Sequence, residues 1–264
     1  MSRLTLNTLR KMKTEGNKIA VLTAYDASFS QLLEGAGVDV VLVGDSLGMV
    51  VQGQESTIPV TMDEMIYHTK NVVRGSERMF VIADLPFMSY ANTDFALQNA
   101  ARLMAEGGAQ MVKLEGGAEL ADRIAALSQH GIPVCSHLGL LPQSVHKLGG
   151  YLVQGREPAI AEKILQDALT LEQAGADMLL LECVPAALAK TISEQATVPV
   201  IGIGAGADCD GQVLVLYDML GITPGKRPRF SHDFLADAGH IPAAISRYVE
   251  TVKSGVFPGI GQQY

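Results

Sequence analysis

Long apolar runs, linkers and basic clusters are all missing from this sequence, and each absence narrows what the protein can be. No run approaches the roughly 20 apolar residues that a membrane-crossing helix needs, and the opening MSRLTLNTLRKMK holds no apolar signal core. A cytoplasmic location with no membrane partner is the expectation. Basic residues are outnumbered, 20 Lys and Arg against 28 Asp and Glu, giving a net charge of −8 and a pI near 5.2. Nucleic acid and anionic membranes attract the opposite balance, so the partner expected is a small molecule and not nucleic acid. The three cysteines, Cys135, Cys183 and Cys209, are odd in number and lack metal-ligand spacing. They read as reduced, buried thiols. Charged residues make up only 18% against 48% hydrophobic, so no stretch is polar enough to be disordered and a large core is expected. With no linker, residues 1–264 form one unit, close to the size of about 250 residues typical of an α/β barrel.

What is present is a repeated alternation. Short apolar runs, IAVLTAY, VVLVGD, MFVIAD, MVKLE, PVCSHLG, MLLLEC, PVIGIG and QVLVLYD, are separated by stretches of helical period. Apolar, non-alternating strands between helices imply parallel strands buried on both faces, and this number favours closure over an open sheet. The fold expected is an α/β, (β/α)8 TIM barrel with an N-terminal helix and additional C-terminal helices around 232–238 and 243–252. Between Thr61 and Gly75, Met62, Met65, Ile66, Val72 and Val73 share one face, and Thr61 with Glu64 has capping-box spacing. Ile160, Ile164, Leu165, Ala168 and Leu171 form a second such face. A degenerate junction recurs at Gly37, Gly108 and Gly175, where glycine takes the left-handed turn past a helix and an apolar strand follows. After Asp45 and after His137 the connections are long and glycine-rich, and are candidates for lids or substrate loops.

Four strands end on acids: Asp45, Asp84, Glu115 and Glu182. Barrel enzymes act at the carboxyl ends of their strands, so these residues converge where catalysis is expected. Two carboxylates facing one point repel unless a cation lies between them, and magnesium commonly takes one or two carboxylates with water and substrate oxygens. The structural alternative is that each Asp caps the segment after it. Lys113 and Glu115, two apart in a strand, point to one face; they form an ion pair, or Lys113 contacts an anionic substrate while Glu115 supports the metal through water. Glu182 follows four apolar residues, surroundings that favour its protonated form and suit a general base, unless a nearby cation pairs with it. Lys113 is a rival base on spacing alone. His137 ends a strand too, as a structural hydrogen-bonder or as a residue of the catalytic site in contact with substrate. The glycines Gly202, Gly204 and Gly206 of IGIGAG lack the third interval of a nucleotide fingerprint, and no helix clearly follows them.

YDASF, VGDSLGMVVQG, ADLPFMSY, VKLEGG, HLGLLPQS, GGYLVQGR, LLLECVP, IGIGAG and SGVFPG, spread over nearly the whole chain, resemble ketopantoate hydroxymethyltransferase. The resemblance implies transfer of a one-carbon unit from the co-substrate 5,10-methylenetetrahydrofolate to 3-methyl-2-oxobutanoate, giving 2-dehydropantoate for pantothenate and coenzyme A. By it Asp45 and Asp84 bind magnesium with Glu115 completing the site, and Ser46, Asp45, Asp84 and Lys113 contact the oxo acid. It also makes Glu182 the proton acceptor and the assembly a homodecamer of two pentameric rings. Two positions depart from the family pattern: Ser136, where Gly usually precedes the histidine, and Leu141, where Thr precedes the proline.

The residues read alone allow that chemistry. A 2-oxo acid chelates magnesium through carboxylate and keto oxygens, the cation stabilises charge on the keto oxygen, and a base removes the adjacent proton. The enolate then attacks the folate methylene in a water-poor mouth. A barrel lyase or mutase acting on a related oxo acid would share the enolate without folate. A non-catalytic, acid-binding or scaffold barrel would need no base.

Overall fold

The protein is described by a computed structural model covering residues 3–223, 225 and 227–264. Strands β1 (Ile19–Thr23), β2 (Val40–Val43), β3 (Phe80–Asp84), β4 (Met111–Glu115), β5 (Val134–Gly139), β6 (Met178–Glu182), β7 (Val200–Ile203) and β8 (Gly211–Leu214) are parallel and close into a barrel in chain order. Around them lie helices α1 (Leu6–Thr14), α2 (Ala27–Gly35), α3 (Leu47–Val50), α4 (Met62–Arg74), α5 (Thr93–Arg102) and α6 (Ala121–Gln129). The series continues with α7 (Val145–Leu148), α8 (Pro158–Gln173), α9 (Ala186–Gln195), α10 (Leu216–Met219), α11 (Phe234–Ala238) and α12 (Ile241–Lys253).

Every residue of β1 to β4 is buried, because helices cover the outer face and the barrel interior takes the inner one. The junction glycines Gly37, Gly108 and Gly175 sit at φ 86, 84 and 110°, the left-handed region that lets a helix end and a strand begin at once. Thr61 and Glu64 form the expected reciprocal cap on α4, which buries Met65, Ile66 and Val72, with Met62 and Val73 packed at the edge. Along α8 the buried face is Ile164, Ala168 and Leu171, with Leu165 beside it. Ile160 departs from the expected face: it is 40% exposed in the first turn, ahead of the point where the helix meets the barrel.

Two features refine the expected architecture. No helix joins β7 to β8; residues 204–210 make the return directly. A four-residue strand rises only about 13 Å, well within the reach of this link at roughly 3.3–3.6 Å per residue. Gly206 makes the path possible, with φ +90° and a position where a Cβ would lie 2.7 Å from the Ala186 Cβ. At the other side, α12 packs on β1 and α2, so the later helices take the outer position beside β8 and β1. The buried Tyr248 hydroxyl lies 2.8 Å from Val21 O and 2.9 Å from Gln212 O, tying α12 to both strands. All three cysteines are free and buried, as expected.

Candidate active site

At the carboxyl ends of the strands a cavity of about 560 Å³ opens, lined by Asp45, Ser46, Asp84, Lys113, Glu115, His137 and Glu182. Strand register brings them together. Asp84 lies opposite Lys113 across β3 and β4, Glu115 lies opposite His137 across β4 and β5, and Glu182 ends β6 opposite Gly139. Asp45 follows β2, and its backbone N–H donates to Asp84 Oδ2 at 3.0 Å, which fixes the two acids side by side. Gly44 allows this approach, because a Cβ there would meet Ser46 Oγ at 2.7 Å and Asp84 Oδ2 at 3.6 Å.

Lys113 Nζ is the internal counter-charge, 3.2 Å from Asp84 Oδ1, 3.6 Å from Glu115 Oε1 and 3.2 Å from His137 Nδ1. The ion pair with Glu115 and a place facing the substrate cavity therefore hold together. Burial alone would strip the lysine of its proton, but the carboxylates of Asp84, Glu115 and Asp45 outweigh it and keep the ammonium charged. Burial pushes Asp45 well above the usual carboxylate range, with Asp84 and Glu115 adding like charge that Lys113 and Gln143 only partly offset. Burial also raises Asp84, against the pull of Lys113. Glu115 is different: burial raises it, but Lys113, His137 and the Gln143 N–H together hold it low and ionised.

His137 bridges the two halves of the site. Its Nδ1 is 3.4 Å from Glu115 Oε1, and its Nε2 is 3.2 Å from Glu182 Oε2 without the alignment of a good hydrogen bond. Burial and Lys113 pull its proton affinity down, yet the nearby carboxylates of Glu115 and Glu182 outweigh them and lift it above the ordinary histidine value. Glu182 is not sealed among the leucines before it; its side chain opens on the cavity and faces His137. The two long loops meet over this mouth, where the Tyr151 hydroxyl lies 3.4 Å from Met49 Sδ.

Three polar residues complete the site without a signal in strand periodicity. Gln143, buried in the loop after β5, donates its side-chain N–H groups to Asp45 Oδ2 at 2.8 Å and Leu85 O at 3.0 Å. Its backbone N–H donates to Glu115 Oε2 at 3.0 Å, and its Oε1 accepts from the Tyr90 hydroxyl at 2.5 Å. The Tyr25 hydroxyl pairs with Ser46 Oγ at 2.9 Å. Each lies in a motif singled out from the sequence, LLPQS, ADLPFMSY and YDASF, but only folding joins them. Of the two departures from the family pattern, Ser136 leaves a fully buried hydroxyl with no partner among the described residues. Leu141 only precedes the short turn Pro142–Ser144.

The acids fit a magnesium ion in part. Asp84 Oδ1 is buried and lacks an aligned hydrogen bond, and three buried carboxylates share one ammonium, so the region attracts a further cation. No three His, Cys, Asp or Glu side chains among the described residues converge closely enough to hold a metal directly. A two-carboxylate site on Asp45 and Asp84, completed by water and substrate, is what magnesium takes. Both Glu115 oxygens already face donors, so it stands one layer out.

The model of the ketopantoate hydroxymethyltransferase family matches residues 3–260. The chain belongs to that family. It is 62% identical over 264 residues to a 3-methyl-2-oxobutanoate hydroxymethyltransferase of Nitrosococcus oceani, covering 100% of both chains. The corresponding protein of Halorhodospira halophila is 60% identical, covering 97% of this chain and 93% of its own. Membership makes the chain a transferase, with ketopantoate hydroxymethylation the activity by which the family is named. Among solved structures, 2,3-dimethylmalate lyase has a TM-score of 0.60 at 17% identity, covering 96% of this chain and 99% of its own. Phosphonopyruvate hydrolase in complex with oxalate and Mg++ has a TM-score of 0.63 at 14% identity, covering 98% and 93%. At such identity these share the barrel with this chain.

Proposed function

We propose that the chain transfers a hydroxymethyl group from 5,10-methylenetetrahydrofolate to 3-methyl-2-oxobutanoate, forming 2-dehydropantoate for pantothenate and coenzyme A synthesis. The observation that carries this is the placement, in one cavity, of the buried Asp45 and Asp84 pair and of Glu182, a carboxylate positioned as a base across His137. The Mg++ and oxalate named for phosphonopyruvate hydrolase support magnesium here, since oxalate presents the paired oxygens of a 2-oxo acid.

Asp45 and Asp84 would hold the ion, Glu115 would orient a bound water, and Ser46 and Lys113 would receive the oxo acid carboxylate. Magnesium, when bound, draws the negative charge that develops on the keto oxygen. Glu182 removes the proton from the neighbouring carbon, and His137, held by Glu115, keeps that carboxylate in place. The carbon so freed forms the new bond to the donor's methylene as one of that methylene's bonds to the folate nitrogens breaks. Water then displaces the second nitrogen and supplies the product's hydroxyl oxygen, and both nitrogens take up protons as tetrahydrofolate leaves. Lys113 is the weaker candidate for base, because three carboxylates hold its proton on. Met49 and Tyr151, closing over the mouth, limit water at the reacting carbon.

The same reading makes the enzyme a cytoplasmic homodecamer. No helix among the described residues is long and apolar enough to cross a membrane. The exposed side chains of Phe87, Met88, Phe95 and Val256 offer apolar surface for subunit contacts. The test is an assay of purified protein with magnesium, 3-methyl-2-oxobutanoate and methylenetetrahydrofolate, omitting each in turn. Hydroxymethylated product should require all three; product without folate, or none with all present, overturns the reading.

A further inference from the structure

The acids of the metal half come from β2, β3 and β4, and the cavity continues well beyond them. Its other wall belongs to β7, β8 and the segments after them: Ile203, Val213, Asp218, Thr223, Arg227 and Phe230. A volume of about 560 Å³ falls in the range of roughly 300–1,000 Å³ that holds drug-sized ligands, much more than a five-carbon oxo acid fills. Glu182, ending β6, stands between the halves. A second, larger reactant therefore meets the carbon that Glu182 deprotonates from the β7 and β8 side.

That side carries one buried acid for which the oxo acid chemistry has no use. Asp218 is 7% exposed, in α10 just past β8, and lines the cavity. Thr223 Oγ1 donates to its Oδ1 at 2.6 Å, and Oδ2 has no hydrogen-bond donor among the described residues. Arg227 also lines this wall, but its guanidinium is paired with Asp233 at 3.3 Å. Burial raises the proton affinity of Asp218, against Thr223 and Arg227. Phe230 lines the same cavity and lies so close to Gly204 that a Cβ there would meet the Phe230 Cβ at 3.0 Å. The left-handed Gly204, at φ +62°, makes room for an aromatic side chain in the wall of the cavity that Asp218 also lines.

A carboxylate accepts two parallel N–H groups, and each oxygen has a second lone pair, so the Thr223 bond leaves the bidentate arrangement open. We infer that Asp218 and Phe230 form the subsite for the 2-amino-4-oxopteridine ring of the folate donor. The ring N–H and the 2-amino group donate to the carboxylate, and Phe230 packs against the ring. This rests on the folate-dependent transfer proposed above and adds the residues that select the donor.

The test compares wild type with Asp218→Asn and Asp218→Ala in two assays. One is KM for methylenetetrahydrofolate together with tetrahydrofolate binding by calorimetry. The other is magnesium-dependent exchange of the oxo acid's proton with deuterated water, measured without folate. Asparagine turns one acceptor into a donor facing donors. Donor KM and tetrahydrofolate Kd are expected to rise about 10–100-fold, the range for losing hydrogen bonds to a charged group, while exchange stays within about twofold. Unchanged donor KM and tetrahydrofolate Kd in Asp218→Asn would overturn the subsite. So would loss of exchange in step with donor use, which would make Asp218 a support for the Thr223 turn. A wild type that catalyses exchange but never uses folate would instead defeat the underlying transfer reaction, and the subsite with it.

Discussion

Gln143 Nε2 donates to Asp45 Oδ2 at 2.8 Å while its backbone N–H donates to Glu115 Oε2 at 3.0 Å, so a single loop residue sets the separation of two acids from different strands. The Tyr90 hydroxyl on Gln143 Oε1 fixes which face of the amide is turned to Asp45. Partners of this kind orient ligands that would otherwise swing apart under mutual repulsion. Gln143→Ala is therefore expected to weaken magnesium binding about 10–100-fold in calorimetry without unfolding the barrel. Unaltered magnesium affinity would remove Gln143 from the site's support.

Asp84 is expected to serve ion and oxo acid together. Its Oδ2 holds the Asp45 backbone, while its Oδ1 has no aligned donor and is 3.2 Å from Lys113. Asp84→Ala should lower affinity for magnesium and for 3-methyl-2-oxobutanoate in parallel, each by at least about tenfold, since both would share one coordination sphere. Calorimetry that finds either affinity unchanged contradicts the shared site.

Ser136 makes a prediction about stability instead. Its hydroxyl is fully buried and unpartnered, a situation that costs about 1–3 kcal/mol. Ser136→Ala removes the oxygen and keeps the Cβ, and should raise stability by about 1 kcal/mol in a thermal or denaturant melt. A variant less stable than wild type would show that the hydroxyl has a partner.

Glu34 sets part of the acid limit of the fold. Burial raises its proton affinity, but the Arg78 N–H, the Ser76 hydroxyl and the N–H groups of Glu77 and Met79 outweigh this and hold it below the usual glutamate value. A depressed carboxylate contributes stability that is complete above its unfolded pKa, ordinarily about 4.3, and is lost as pH falls towards the folded value. Glu34→Gln should therefore be less stable than wild type at pH 7, with the difference shrinking below about pH 4. A difference between the two that does not vary with pH would contradict this.

Much of the architecture, and the strand-end residues of the candidate site, could be read before folding. Apolar runs closed by Asp84, Glu115 and Glu182 are informative because strand order and parallel register carry their ends to one rim. The left-handed glycines at 37, 108 and 175 could be read because no other residue takes that turn cheaply. Gln143 and Tyr90 could not, since their loops have no period and their bonds join segments 53 residues apart. Glu182 illustrates the limit from the other side. Its apolar predecessors point to an enclosed carboxylate, whereas the backbone leaves β6 at Cys183, φ 48°, and presents the side chain to the cavity beside His137.

The central claim is that Glu182 takes the proton from an oxo acid held at Asp45 and Asp84. Proton magnetic resonance of 3-methyl-2-oxobutanoate in deuterated water, with magnesium and without folate, measures that step directly. Wild type should exchange the proton, and Glu182→Gln should exchange it about 10²–10⁴-fold more slowly while still binding magnesium and oxo acid. Exchange at the wild-type rate in Glu182→Gln would contradict the account and place the base elsewhere.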